Sequence, residues 1–372
     1  MKAAHIKQRL ESVSPSRYGR LRAWSQGLAC PLQILWAGEP LLAPSPAPKL
    51  GDVVHAVMEK VHGNLDEEGV EGLWERELEK LEEKLASSWV TKGLVPLEST
   101  LKGYDARRIM AIRMAKDSFQ LRSGKRKAPS NSAEVLKEEA LQSPDGILVG
   151  KVDLVVKQGN EWTIIDYKTG AIFEKDESDE LVIKEDYELQ MLLYSALLKE
   201  ARGIEATSAL LKPLDGKTQR VGISKDQVAS IANEARRLLA EFNALVGSVE
   251  DMQQLALPMP KKPSARSYGC SGCQYRPSCY AYLEAEKSNG PDAVWPNDLI
   301  GTVESVAARN GLMFVTLRAA AQETKTVQLQ DSGDRHPNLR DLEVGDRVGI
   351  FDVARCRLVL ADGPRTCLYK FS

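Results

Sequence analysis

The stretch VGKVDLVVKQGNEWTIIDYKTG (149–170) constrains this chain more than any other. Two runs rich in β-branched and aromatic residues flank Gly159-Asn160, a preferred two-residue hairpin loop because Gly accepts positive φ. With that loop Gln158 pairs with Glu161. The register carried outward sets Asp153 opposite Asp166 and Lys151 opposite Lys168. Alternation along the strand puts Asp166 and Lys168 on one face and Tyr167 on the other. Cross-strand carboxylates ~5 Å apart repel, so one must take up a proton or a cation must compensate them. A solvated ion-pair ladder is the competing explanation. Val152, Leu154, Val155, Val156, Ile164 and Ile165 are apolar on both faces, however. That predicts a sheet covered on both sides, where an uncompensated charge quartet is costly. Asp153 and Asp166 are therefore expected to bind a hard divalent cation.

The rest of the first 290 residues alternates helix and strand. Ser12 to Gly38 reads as a capped helix ending in a Cys-Pro turn, followed by a Pro-rich connector (Pro40 to Pro48). Val53, Val54, Val57, Met58 and Val61 recur at helical spacing from Leu50 to His62. A charged helical insertion (about 63–130) follows, with Trp74, Leu78, Leu81 and Leu85 as its buried stripe. Its second half is basic: Arg107, Arg108, Arg113, Lys116, Arg122, Lys125, Arg126 and Lys127 either track phosphates or form a solvated face, with nothing to choose between them. Val135 to Leu141 is a strand before the hairpin. Beyond an acidic loop come a helix (YELQMLLYSALLKEA), a strand (Ala206 to Leu211) and an amphipathic helix from Ser224 to about Leu245.

At 372 residues, two domains are expected. Composition shifts to a linker at 291–298, after which short alternating strands with turn signals (299–372) predict a small all-β, OB-like domain. Lys and Arg total 50 against 52 for Asp and Glu. An anionic partner must then be attracted by a local basic groove or a bound metal, not by a global field. The first ten residues lack a secretory h-region, and no apolar run approaches the ~20 residues of a spanning helix. A cytoplasmic protein without membrane contact is expected. Its six cysteines should then be unpaired, and clustered ones point to metal. There is no GxxxxGK[ST] pattern, so any ATP-driven motor would be a separate protein.

The hairpin's charged residues, and the phrase IIDYKTG in particular, resemble the RecB-like branch of the PD-(D/E)XK nucleases. The resemblance covers about Ser12 to Glu286. It implies an α/β fold: a restriction-endonuclease-like core whose mixed central sheet is flanked by helices and carries the helical insertion, within a nuclease domain spanning 1–290. It also implies catalytic roles for Asp153, Asp166 and Lys168, with Mg²⁺ or Mn²⁺ on the two acids and the lysine acting on water and phosphate. Lys151 stands where the family commonly has Arg. Gln190 and Tyr194, one turn apart on a helix face, match the family's QxxxY element, which orients the DNA backbone. His55, in LGDVVHAVMEK, matches the helix that supplies a metal-binding histidine; taken alone, a histidine among apolar residues is more often a core residue. The backbone carbonyl of Tyr167 would complete the metal set of His55, Asp153 and Asp166. Glu138 or Glu139 would be an additional acid, without a choice between them.

Cys270, Cys273 and Cys279 form C-x2-C-x5-C, which needs a fourth ligand. Spacing alone leans to tetrahedral zinc. RecB-like nucleases with an iron–sulfur staple, such as AddB-type subunits and CRISPR-adaptation exonucleases, use an N-terminal cysteine followed much later by this triplet. That implies a structural [4Fe–4S] cluster on Cys30, Cys270, Cys273 and Cys279, with zinc the alternative. Cys356 and Cys367 read as small buried hydrophobes.

In the β domain Phe314, Phe351, Tyr369, Arg318, Arg355 and Arg357 are candidate contacts to single-stranded nucleic acid, although buried aromatics and scattered surface arginines are favoured residue by residue. The expected activity is metal-dependent DNA cleavage, exonucleolytic or end-processing, on single-stranded or frayed DNA. Repair, recombination or phage defence would be the setting, with a helicase or ATPase as a possible partner. The competing class is an inactive nuclease fold that clamps DNA ends; RNA as substrate is a third option.

Overall fold

A computed structural model describes residues 6, 9–61, 69–122, 134–176, 178–214, 216–256, 270, 272–289, 297–319, 324–330, 333–356 and 359–371. Helix α1 (Pro15–Ser25) starts on Ser14, whose hydroxyl accepts the Arg17 N–H at 3.3 Å, with Pro15 in the first turn where no N–H is needed. A short α2 (Pro31–Leu35) follows. Helix α3 runs over Pro46–Val61 and buries Val53, Val54, Val57, Met58 and Val61 along one face. It begins four residues before the expected Leu50 because Pro46 and Pro48 fall in its first turn, the one part of a helix that tolerates proline.

The insertion comprises α4 (Gly69–Ala86), α5 (Leu97–Thr100) and α6 (Tyr104–Arg122). Trp74 and Leu85 are buried, and Leu78 and Leu81 pack beside them, as their spacing predicts.

Strands β1 (Val135–Gln142), β2 (Val149–Gln158) and β3 (Glu161–Lys168) form an antiparallel meander. A small hairpin, β4 (Phe173–Lys175) and β5 (Leu181–Ile183), leads into α7 (Glu185–Arg202). That helix carries the chain to β6 (Ala206–Pro213), which lies parallel to β3. An antiparallel β7 (Gln219–Gly222) completes the mixed five-stranded sheet, ordered β1-β2-β3-β6-β7. A parallel pair needs a crossover of this length, and α7 supplies it.

Helix α8 (Lys225–Gly247) packs with α1 and α7 on one sheet face, where Val155, Ile164 and Ala209 meet Leu193, Leu238 and Phe242. On the other face Leu154, Ile165 and Tyr167 pack into a core with Val54, Trp74 and Ile112 of the α3–α6 layer. Both faces are covered, which is why β2 and β3 carry apolar residues without alternation. Each such buried side chain contributes ~1.5–3 kcal/mol. No described helix is long and apolar enough to cross a membrane.

Beyond α9 (Tyr280–Asn289), the strands β8 (Leu299–Arg309), β9 (Leu312–Arg318), β10 (Thr324–Gln330), β11 (Arg347–Phe351), β12 (Ala354–Cys356), β13 (Val359–Ala361) and β14 (Cys367–Phe371) form one sheet. Its order is β12-β13-β10-β9-β8-β11-β14, with β10 and β13 parallel. Val303, Val315, Leu317 and Ile350 give this unit its own small core. Ile300, Phe351, Cys367 and Tyr369 turn away from it and join the core of the helical insertion. Phe351 and Tyr369 are therefore packing residues and not a stacking platform, Arg318 is ion-paired with Glu304, and Arg357 lies outside the described residues. Of the expected linker, 291–296 also lie outside them, whereas Asp298 is buried. Cys367 is buried with its thiol pushed up to about 12 by that burial, which makes it the small hydrophobe expected; the side chain of Cys356 is outside the described set.

Because Phe351 belongs to a core shared with α3–α6, Phe351→Ala should destabilise the chain by about 3–5 kcal/mol and shift its whole denaturant transition. A separate early transition confined to the C-terminal strands would contradict the shared core.

Candidate active site

Gly159 opens the β2–β3 turn at φ 62°, and Asn160 keeps a negative φ, as in a II′ hairpin. The ladder runs from Gln158↔Glu161 to Leu154↔Ile165, in the register expected from the loop. There it stops. Asp153 and Asp166 are not paired. Instead Asp153 Oδ2 accepts the backbone N–H of Tyr167 at 2.9 Å, so a carboxylate occupies the place of a strand carbonyl. Lys151 does not face Lys168 either; its ammonium lies 2.7 Å from Glu138 and 3.7 Å from Glu59. Continued pairing would press two carboxylates together on one face. The strands part instead, and the side chain of Asp153 satisfies the donor that the parting exposes.

Three elements converge where β2 and β3 separate. From α3, His55 Nδ1 lies 3.4 Å from Asp153 Oδ1. From β1, Glu138 sits at the register position across from Asp153, between the pairs Lys137↔Leu154 and Glu139↔Val152. Its φ of 46° is unusual for a residue with a side chain and costs ~1–3 kcal/mol. His55, Glu138 and Asp153 each offer a ligand atom, all within 4.8 Å of one another. Of the two acids left open in the sequence, Glu138 faces the site, and Glu139 is ion-paired with Arg202.

Asp166 is 3% exposed beside this group. Lys168 Nζ lies 2.6 Å from its Oδ2, a close ion pair largely out of water. Burial raises the carboxyl pKa of Asp166, Lys168 opposes that shift, and Asp153 reinforces it. The Glu138 carboxyl is likewise raised, by burial first and by Asp153 among its neighbours, against the pull of Lys151. His55 moves up because it is hydrogen-bonded to Asp153 and faces two further acids. All three shifts report an excess of negative charge held out of water. Two carboxylates with a third acid beside them are hard oxygen donors of the kind Mg²⁺ or Mn²⁺ takes, and the imidazole adds a borderline nitrogen donor. The donor set fits such an ion.

Lys168 also donates to Gln190 Oε1 at 2.6 Å, and the Gln190 amide donates to Tyr194 Oη at 3.3 Å. The two residues thus form a chain along α7 that ends on the lysine. Tyr187, three residues before Gln190 on the same helix face, lays its ring 4.6 Å from Lys168 Nζ. Tyr187 belongs to no motif, and its spacing from Gln190 is the signal for it in the sequence. The loop after Lys168 is fastened from two sides. Arg107 reaches Thr169 O at 3.3 Å and Lys184 reaches Ala171 O at 2.8 Å. Gly51 on α3 leaves room for Thr169, since a Cβ there would come within 3.1 Å of its hydroxyl.

Tyr167 contributes its N–H to Asp153, and its ring is buried on the opposite face. Within the basic stretch Arg108 and Lys116 are ion-paired with Glu75 and Glu71, which favours a solvated face there. The side chain of Arg122 and residues 125–127 lie outside the described set. Cys30, Cys270, Cys273 and Cys279 line one common pocket away from these acids.

A solved structure of a candidate exonuclease from Eubacterium rectale is similar at 13% identity, covering 64% of this chain and 83% of that one. Its TM-score of 0.37 is too low to bear on activity. No curated protein matches significantly. The family model described as the PD-(D/E)XK nuclease superfamily matches residues 22–280. That span holds His55, Glu138, Asp153, Asp166, Lys168, Gln190 and all four pocket cysteines, and the chain belongs to the PD-(D/E)XK nuclease superfamily.

Proposed function

We propose that this protein is a divalent-metal-dependent deoxyribonuclease that hydrolyses phosphodiester bonds at single-stranded or frayed DNA ends. The observation that carries this reading is the meeting of His55, Glu138 and Asp153 beside Asp166 and Lys168, at the point where β2 and β3 part. His55, Glu138 and Asp153 would hold the cation, with Asp166 next to them. When bound, it supplies an activated water and charge compensation at the phosphate. Lys168, aimed by Asp166 and Gln190 and resting on Tyr187, stabilises the charge that builds on the phosphate oxygens. Tyr194 keeps the Gln190 amide oriented with its oxygen toward the lysine. The sequence has no nucleotide-triphosphate loop, so a helicase or ATPase partner would supply any unwinding.

The four cysteines are read as ligands of a structural metal centre. Cys270 and Cys273 have thiols pushed up to about 12, and Cys279 to about 11, by burial and by each other's proximity. Such a group keeps its thiolates only if a cation compensates them. Among the described residues no cysteine belongs to a set of three ligands within 4.8 Å of one another. The order of Cys30 followed by the C-x2-C-x5-C triplet, which resembles the iron-stapled RecB-like nucleases, supports [4Fe–4S] over zinc in this reading. The C-terminal sheet is read as an OB-like unit.

With Mg²⁺ or Mn²⁺ and end-labelled DNA, the wild type should cleave, and Asp166→Ala and Lys168→Ala should lose activity by at least ~10²-fold. Equal cleavage by all three would sink the assignment, and DNA binding without cleavage under either metal would make the protein an end clamp. Tyr187→Phe should retain activity, whereas Tyr187→Ala should lower kcat roughly tenfold, the scale of a cation–π contact. Protein purified without oxygen should be coloured and contain iron. A colourless protein with stoichiometric zinc would refute the cluster.

A further inference from the structure

Arg276 is one of the most deeply buried charges in the molecule, 1% exposed, and lies in the short turn between Cys273 and Cys279. Its guanidinium divides its donors between two parts of the chain. Nη1 bonds the carbonyls of Cys270 at 2.8 Å and Cys273 at 3.2 Å. Nε and Nη2 bond the carboxylate of Asp298 at 2.8 and 3.3 Å, and Nη2 also reaches Asp352 at 3.1 Å. Asp298, the last residue of the expected linker, directly precedes β8, and Asp352 directly follows β11, so both acids flank strands of the C-terminal β unit. They are tied to each other, since the Asp352 N–H bonds Asp298 at 2.9 Å, and Arg365 holds Asp352 from its far side at 3.0 Å. The Tyr282 hydroxyl donates to Asp298 at 2.6 Å. Among the described residues lining the cysteine pocket, Arg276 alone carries a full charge.

Stability alone does not call for this arrangement, because a buried ion pair is often no better than apolar side chains of the same shape. A planar fork that bonds cysteine carbonyls on one side and carboxylates on the other does something apolar residues cannot: it fixes the ligand loop relative to a second unit. We propose that Arg276 is a positioning residue of the cysteine centre, and that the C-terminal β unit is the clamp that holds it through Asp298 and Asp352. This rests on the reading that the four cysteines hold a metal. Coupling of this kind is reciprocal: docking of the β unit retains the metal, and the metal retains the docking.

The test uses full-length holoprotein, with iron and zinc quantified and release to a chelator timed. Arg276→Lys keeps the charge but loses the fork, and Asp352→Asn removes one anchor. Both should release metal at least tenfold faster than wild type, whereas Arg236→Lys, in a surface network with Asp145 and Glu200, should not. Wild type stripped of metal should exchange amide hydrogens faster at 297–303 and 348–353, a readout that needs no variant to fold. Folded variants with wild-type release, or unchanged exchange after stripping, would overturn the clamp. Cys273→Ser separates the two levels. Loss of metal there, with normal retention in Arg276→Lys, rejects the clamp alone; full retention in Cys273→Ser rejects the metal centre and the clamp with it.

Discussion

Asp153 accepts a hydrogen bond from the strand that carries Asp166, and this 2.9 Å contact ends the hairpin ladder. Beyond it the two strands diverge, because continuing the pairing would place carboxylate against carboxylate on a covered sheet. The divergence gives His55 access to Asp153 from α3 and Glu138 access from β1. It also frees Lys168 to point along the sheet face to Gln190 instead of meeting Lys151. A local electrostatic conflict thus gathers acids and an imidazole on one side and an ammonium on the other.

The surrounding fold keeps that conflict in place. Apolar layers on both faces of β2 and β3 hold the backbone where the acids cannot escape into water. Burial then raises the carboxyls of Asp166 and Glu138, and the strained φ of Glu138 persists because the β1–β2 pairs Lys137↔Leu154 and Glu139↔Val152 pin the backbone on both sides of it. Under the proposed function, this concentrated negative charge is what a bound cation would compensate.

The hairpin was legible because Gly159-Asn160 sets the loop and alternation sets the faces. The parting was not, since a side chain taking over a backbone hydrogen bond leaves no periodic trace. Glu138 and Glu139 differ only in which way a distorted strand turns them, and no residue type signals positive φ at a glutamate. Lys168, Gln190 and Tyr194 form one hydrogen-bonded chain, whereas Tyr187 carries no motif and only its helical spacing from Gln190 marks it in the sequence. In the C-terminal strands, Phe351 and Tyr369 look in sequence like either core or platform; their packing against the helical insertion is a long-range fact. The same holds for Arg276 and Asp298, 22 residues apart and joined by no periodic pattern.

The most direct test of this account is the anomalous diffraction of Mn²⁺ in crystals of the protein, compared with Glu138→Gln crystals grown identically. A single strong peak bonded to His55, Glu138 and Asp153, weakened or lost in Glu138→Gln, is the predicted result. Saturating Mn²⁺ with no density at these three residues, or an ion whose position ignores the Glu138 change, would contradict it.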